Sequence, residues 1–134
     1  MYDVEIHLVC PPGFEMPRDL TTPQDVLHRD LYGCIGNVDV IYMTRVQKER
    51  IEDPTLLQQM SNYGINMELM QLAKPDMILM HPLPRVDELP AYLDADPRSK
   101  YFEQIGNGLL IRQAIFYNLF GLPTDWLLSK PYHK

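Results

Sequence analysis

Three apolar runs divide this chain, and each gives way to a polar or proline-rich loop. Val4-Glu5-Ile6-His7-Leu8-Val9 alternates with period two and then turns apolar, the pattern of a strand entering a buried sheet. Cys10 to Pro17 follows as the loop at its carboxyl end. Val38-Asp39-Val40-Ile41-Tyr42-Met43, β-branched and aromatic, reads as a second strand and runs straight into the polar cluster Thr44-Arg45-Val46-Gln47-Lys48-Glu49-Arg50. Met77-Ile78-Leu79-Met80 reads as a third, ending in the proline-locked loop His81-Pro82-Leu83-Pro84-Arg85.

Helical signals fill the intervals. Thr22 before Pro23 pairs a capping hydroxyl with proline at a first helical position, and Val26, Leu27 and Leu31 follow at helical spacing before Gly36-Asn37. Asp53-Pro54 repeats the signal, with Leu56, Leu57 and Met60 ahead of Gly64, and Asn66 caps a further short helix through Leu72. From Pro97 the pattern is helical to Phe120, although Gly106 and Gly108 each cost roughly 1 kcal/mol of helix propensity unless close packing compensates. Strand, helix, strand, helices, strand, helix predicts one domain over residues 1–134, an α/β fold with a mostly parallel, Rossmann-like sheet flanked by helices. Such sheets bind ligands beyond the carboxyl ends of their strands, which makes the two polar loops a binding edge.

Composition narrows the class. With 134 residues the chain is long enough to bury a core, and a formal charge of −6 disfavours nucleic acid and anionic membrane as partners. No apolar run approaches the roughly 18 residues of a membrane helix, and the start of the chain lacks the basic and apolar stretches of a signal peptide, so a cytoplasmic protein is expected. Cys10 and Cys34 form no C-x-x-C pair and read as reduced, partly buried thiols with no base beside them. His7, His28 and His133 have no ligand spacing, so neither a metal nor a cofactor is expected.

The ordered set Pro11-Pro12-Gly13-Phe14-Glu15-Met16-Pro17, T-R-V-Q-K-E-R, H-P-L-P-R-V-D-E-L, Asp94-Ala95-Asp96-Pro97, Tyr101 to Gly108 and Arg112-Gln113-Ala114 resembles the aspartate-binding half of aspartate carbamoyltransferase, from about Tyr2 to Gly121. That family joins carbamoyl phosphate to L-aspartate in pyrimidine synthesis. The sister ornithine enzymes carry a His-Cys-Leu-Pro loop, whereas Pro82 stands at the cysteine's place here, so the resemblance implies an anionic acceptor. Against the family pattern the segment between Met16-Pro17 and Asp39 is short by about one helix and one strand, which implies a narrower sheet. No stretch is a candidate for the family's Ser-x-Arg-Thr phosphate loop or for its carbamoyl-phosphate domain.

Selecting a dicarboxylic amino acid requires a fixed guanidinium, which forks onto a carboxylate through charge-assisted hydrogen bonds and stays charged. The resemblance gives Arg45 this role toward the substrate's side-chain carboxylate. Gln47, two residues on, points to the same side of an extended loop and would orient the substrate. Glu49 can hold the Arg45 fork, Arg50 in the family bridges to the other domain, and Arg85 stands behind the contacts in the second loop. Pro82 and Pro84 fix φ on either side of Leu83 and pin its carbonyl. By resemblance Leu83 and Pro84 carry the catalytic carbonyls, which accept N–H donors from the amine and the carbamoyl group, Leu83 also binding substrate. His81 is tempting as a general base, but the family's catalytic histidine lies in the other domain.

What the resemblance implies is half of an active site. The family's α-carboxylate arginine has no counterpart here, so aspartate affinity alone is expected to be weak. In the family the last helix packs on the phosphate-binding domain through positions matching Leu109, Leu110, Ile111, Ile115 and Phe116. A homo-oligomer, a partner chain supplying the carbamoyl-phosphate domain, or a rearranged helix is therefore expected. The alternatives to a split enzyme are a non-catalytic aspartate-sensing or assembly protein and a truncated product with no role.

Overall fold

The computed structural model describes residues 3–60 and 63–121, the Arg50 side chain excepted. Tyr2, the helix-stop residues Leu122 and Pro123, and the tail from Trp126 to Lys134 lie outside the described residues. Four short strands are present: β1 (His7–Val9), β2 (Val26–His28), β3 (Val40–Tyr42) and β4 (Ile78–Met80). Helices α1 (Pro54–Met60) and α2 (Met67–Leu72) lie between β3 and β4, α3 (Tyr101–Leu119) follows β4, and single 3-10 turns lie at Arg18–Leu20, Lys48–Arg50 and Ala91–Ala95.

Every strand pairing among the described residues is parallel, β3 reaching β4 through α1 and α2 and β1 reaching β2 through a connection whose only helical element is the 3-10 turn at Arg18–Leu20. The β1 and β2 strands pair with His7 opposite Val26 and Val9 opposite His28, and β3 and β4 pair with Val40 opposite Ile78 and Tyr42 opposite Met80. These pairs form two separate ladders among the described residues rather than one continuous sheet. A cavity of about 1170 Å³ lies between them, lined by His7 and Val9 on one side and Val40 and Tyr42 on the other.

The core belongs to the second ladder. Ile41, Leu79 and the flanking Met43 and Met77 pack with Ile35, Ile65, Leu69, Met70, Leu89, Leu93 and Tyr101. None of these side chains comes from β1 or β2, whose residues are half-buried or exposed. The site loops therefore spring from the better-packed half of the fold.

Local chemistry explains which helix starts hold. Asn66 Oδ1 accepts the Leu69 N–H at 2.9 Å and α2 begins beside it, while Asp53 Oδ1 accepts the Thr55 N–H at 2.8 Å ahead of α1. The helix expected after Thr22-Pro23 does not form. Asp25 takes the Thr22 N–H at 2.8 Å and its hydroxyl at 2.9 Å, and the Asp25 N–H returns to the Thr22 carbonyl at 3.2 Å. That closed turn delivers Val26-Leu27-His28 to the edge of β1 as a strand.

The long helix begins four residues later than its sequence pattern suggests. Arg98 holds the approach: its Nε and Nη2 fork onto Asp96 at 2.9 and 2.7 Å, and its Nη1 donates to the Met70 carbonyl at 2.7 Å at the end of α2. Lys100 N–H then donates to the Leu79 carbonyl at 2.9 Å. Beyond Tyr101, α3 leaves the body. Ile105, Leu109, Ile111, Ile115, Phe116 and Leu119 are all exposed along it.

Candidate functional site

The parallel pairing of β3 with β4 sends Thr44–Arg50 and His81–Arg85 out from the same sheet edge. Met43 N–H donates to the Met80 carbonyl at 2.9 Å, the last backbone bond before the loops part. Beyond it Lys48 Nζ meets Asp87 Oδ2 at 2.7 Å, tying the first loop to the end of the second. Tyr42 OH accepts from Gln104 Nε2 at 3.3 Å, so α3 also anchors at this edge.

In the first loop the Arg45 guanidinium lies on Glu49, with Nη2 to Oε1 at 2.6 Å and Nη1 to Oε2 at 3.4 Å. A guanidinium has five N–H donors in one plane, so two bonds to Glu49 leave capacity for an incoming carboxylate. Arg45 and Gln47 both line the inter-ladder cavity, Arg45 half-buried and Gln47 exposed. Leu83, Pro84 and Arg85 do not line that cavity. Arg50 lies in the 3-10 turn beside Lys48 and Glu49.

The second loop is held from three directions. Leu83 adopts φ +49°, a left-handed conformation unusual for a side chain of its size, and the Leu83–Pro84 peptide bond is cis. His81 is fully buried beneath it: its Nδ1 accepts the Leu83 N–H at 2.9 Å, and its Nε2 meets Glu88 Oε1 at 3.0 Å. Glu88 Oε1 also accepts the Val86 N–H at 3.0 Å, and the His81 N–H donates to Gln104 Oε1 at 3.0 Å. With both ring nitrogens occupied and no exposed surface, His81 is not placed to serve as a general base.

Arg85 pairs with the Ala91–Ala95 turn and the start of α3. Its guanidinium forks onto Asp94, with Nη2 to Oδ2 at 2.8 Å and a second, shorter contact from Nη1 to Oδ1, and it lies 5.8 Å from the ring centroids of Tyr101 and Phe102. The Arg85 fork, with help from the Tyr101 hydroxyl, lowers the Asp94 carboxyl from 3.8 to about 2. The Ala91–Ala95 turn and the start of α3 are thereby clamped to the loop's carboxyl end. Cys10 and Cys34 are free, and burial pushes both thiols up, away from the thiolate a nucleophile requires.

Sequence reasoning missed Glu88 and Asp87. Both stand in the V-D-E-L stretch just past the proline loop, but their partners His81 and Lys48 are set by the fold and leave no signal in spacing. It also missed Arg98, which pairs with Asp96 but ties down α2 through the Met70 carbonyl, a partner with no residue code.

A parallel α/β domain whose two polar loops leave one carboxyl edge has the architecture of open-sheet domains, which bind ligands at that edge. Comparison with known proteins makes the class specific. The family model described as "Aspartate/ornithine carbamoyltransferase, Asp/Orn binding domain" matches residues 1–119. The aspartate carbamoyltransferase catalytic subunit of Bifidobacterium longum is 44% identical over 119 residues, covering 78% of this chain and 37% of the relative. The corresponding subunit of Methanopyrus kandleri is 33% identical over 129 residues, covering 90% and 42%. Aspartate transcarbamoylase from Trypanosoma cruzi, solved in complex with carbamoyl aspartate and phosphate, superimposes with a TM-score of 0.74 at 38% identity, over 83% of this chain and 39% of that one. The chain belongs to the aspartate/ornithine carbamoyltransferase family and corresponds to the carboxyl-terminal, amino-acid-binding domain of aspartate carbamoyltransferase. It spans about two fifths of the length of these relatives.

Proposed function

We propose that this chain is the aspartate-binding half of an aspartate carbamoyltransferase, forming N-carbamoyl-L-aspartate and phosphate only in an assembly that includes a carbamoyl-phosphate-binding half. The observation that carries this is the shared edge: one parallel pair, β3 and β4, presents an Arg45 fork backed by Glu49 and a Leu83 loop fixed at both ends. Arg45 takes the side-chain carboxylate of L-aspartate, and Gln47 orients the substrate. The carbonyls of Leu83 and Pro84 accept the N–H groups of the attacking amine and of the carbamoyl group. Arg50 reaches the other half on closure. Glu49 and Arg85 hold their loops rather than touch substrate.

Bringing two substrates into line contributes roughly 7–11 kcal/mol to such a reaction and requires both binding surfaces. The chain alone is therefore inactive. A covering half also accounts for α3, which exposes Ile105, Leu109, Ile111, Ile115, Phe116 and Leu119 and whose packing follows from the resemblance. Calorimetric titration with L-aspartate and with N-(phosphonacetyl)-L-aspartate, the ligand of another Trypanosoma cruzi structure, tests the reading. Tight binding of the phosphonate and measurable turnover are expected only with the complementary half. Carbamoyl-aspartate formation by the chain alone, or none in the assembly, would overturn it.

A further inference from the structure

His81 opens the proline loop and touches no open surface, yet both of its ring nitrogens are hydrogen-bonded. Its ring bridges two things that must be held relative to each other. On one side is the Leu83 N–H at 2.9 Å, on the other Glu88 Oε1 at 3.0 Å. Because Nδ1 accepts a backbone N–H, it carries no proton, so the neutral ring must bear its proton on Nε2 and donate it to Glu88. The histidine tautomer is thus set by the peptide it supports. Glu88 is itself tied down, its side chain receiving the Val86 N–H and its carbonyl the Ile65 N–H at 2.9 Å. The His81 main chain is fixed too, through Gln104 of α3.

We infer that His81, seated on Glu88, is a positioning residue for carbamoyl transfer: it fixes the peptide unit entering Leu83 and so aims the Leu83 carbonyl. Leu83 sits at φ +49°, where a branched side chain is unfavourable, and a loop left to itself would relax toward the extended region. The His81 ring opposes that relaxation by capturing the Leu83 N–H from below. The proline rings cannot supply this, since each fixes only its own φ and carries no acceptor for the Leu83 N–H. The group that aims the carbonyl is therefore not the prolines the sequence advertises but the histidine ahead of them.

This inference rests on the proposed role of Leu83 and is tested by two substitutions in the assembly with the carbamoyl-phosphate half. Asparagine places an amide oxygen near the position of Nδ1 and keeps an acceptor for the Leu83 N–H; leucine fills the volume and keeps none. His81→Asn is expected to hold kcat within about threefold of the parent, while His81→Leu loses on the order of tenfold or more in kcat with KM for carbamoyl phosphate unchanged. Equal kcat in the two variants, whether both high or both low, would overturn the inference and leave the proposed function standing. An inactive parent assembly would overturn the proposed function and the inference with it. Should either variant fail to fold, long-range ¹H–¹⁵N correlation of the histidine rings in the unmodified chain decides: a neutral His81 with its proton on Nε2 is required, and a proton on Nδ1 at neutral pH would refute the arrangement.

Discussion

Arg45 shows how one side chain can be both paired and available. Its contact with Glu49 is partly exposed, and such a pair contributes only about 0–1 kcal/mol to stability, so its value lies in orientation. An incoming carboxylate adds charge-assisted bonds of roughly 1.5–3 kcal/mol each, enough to decide binding. Arg45→Lys keeps the charge but loses the planar fork. In the assembly it should raise KM for aspartate by about 10- to 100-fold while KM for carbamoyl phosphate stays near the parent's, as steady-state kinetics would read out. Asp94 makes a different prediction. Its folded value lies below the ordinary 3.8, so ionised Asp94 supports the fold above that pH and the support is lost as pH falls toward about 2. Acid unfolding followed by circular dichroism should be steeper across that window in the parent than in Asp94→Asn. Equal slopes would remove the Arg85–Asp94 clamp from the account.

At the scale of elements, α3 departs from what its glycines suggest. A Cβ at Gly106 would meet nothing within 4 Å, so the close packing that would justify a helical glycine is not supplied by the described residues. Gly106→Ala should stabilise the isolated chain by about 0.5–1 kcal/mol in urea unfolding. If the complementary half packs there, the same change should weaken the assembly. The short elements also mark where the sequence could be read. Asn66 and Asp53 announced α2 and α1 because a cap is a local hydrogen bond between neighbours. β2 stayed hidden because three residues cannot display a period, and because its stability comes from β1, about twenty positions away. Thr22-Pro23 misled for a related reason: the same two residues open a turn as readily as a helix, and Asp25 decided between them. The loop motifs were legible as chemistry, Arg45 with Glu49 most clearly, whereas Glu88 beneath His81 is a tertiary contact with no signature in spacing.

Considered as a whole molecule, the chain packs unevenly. Its core gathers around β3, β4 and the helices beside them, and Leu79 at its centre has no exposed surface. Leu79→Ala should cost about 2–5 kcal/mol and loosen both loops together, measurable as lower cooperativity and a lower unfolding midpoint. The β1 and β2 ladder and the outer face of α3 bury far less, which is the distribution expected of a domain completed by another. Phe116, 58% exposed, has no role in the described body, so Phe116→Glu should leave the isolated fold intact while abolishing association with the complementary half in sedimentation velocity. The most direct measurement of the account is a crystal structure of the assembly with N-(phosphonacetyl)-L-aspartate. The account predicts the ligand's side-chain carboxylate forked on Arg45, with the Leu83 carbonyl facing the ligand's amide N–H. A ligand seated elsewhere, or held at this edge without Arg45, would contradict it.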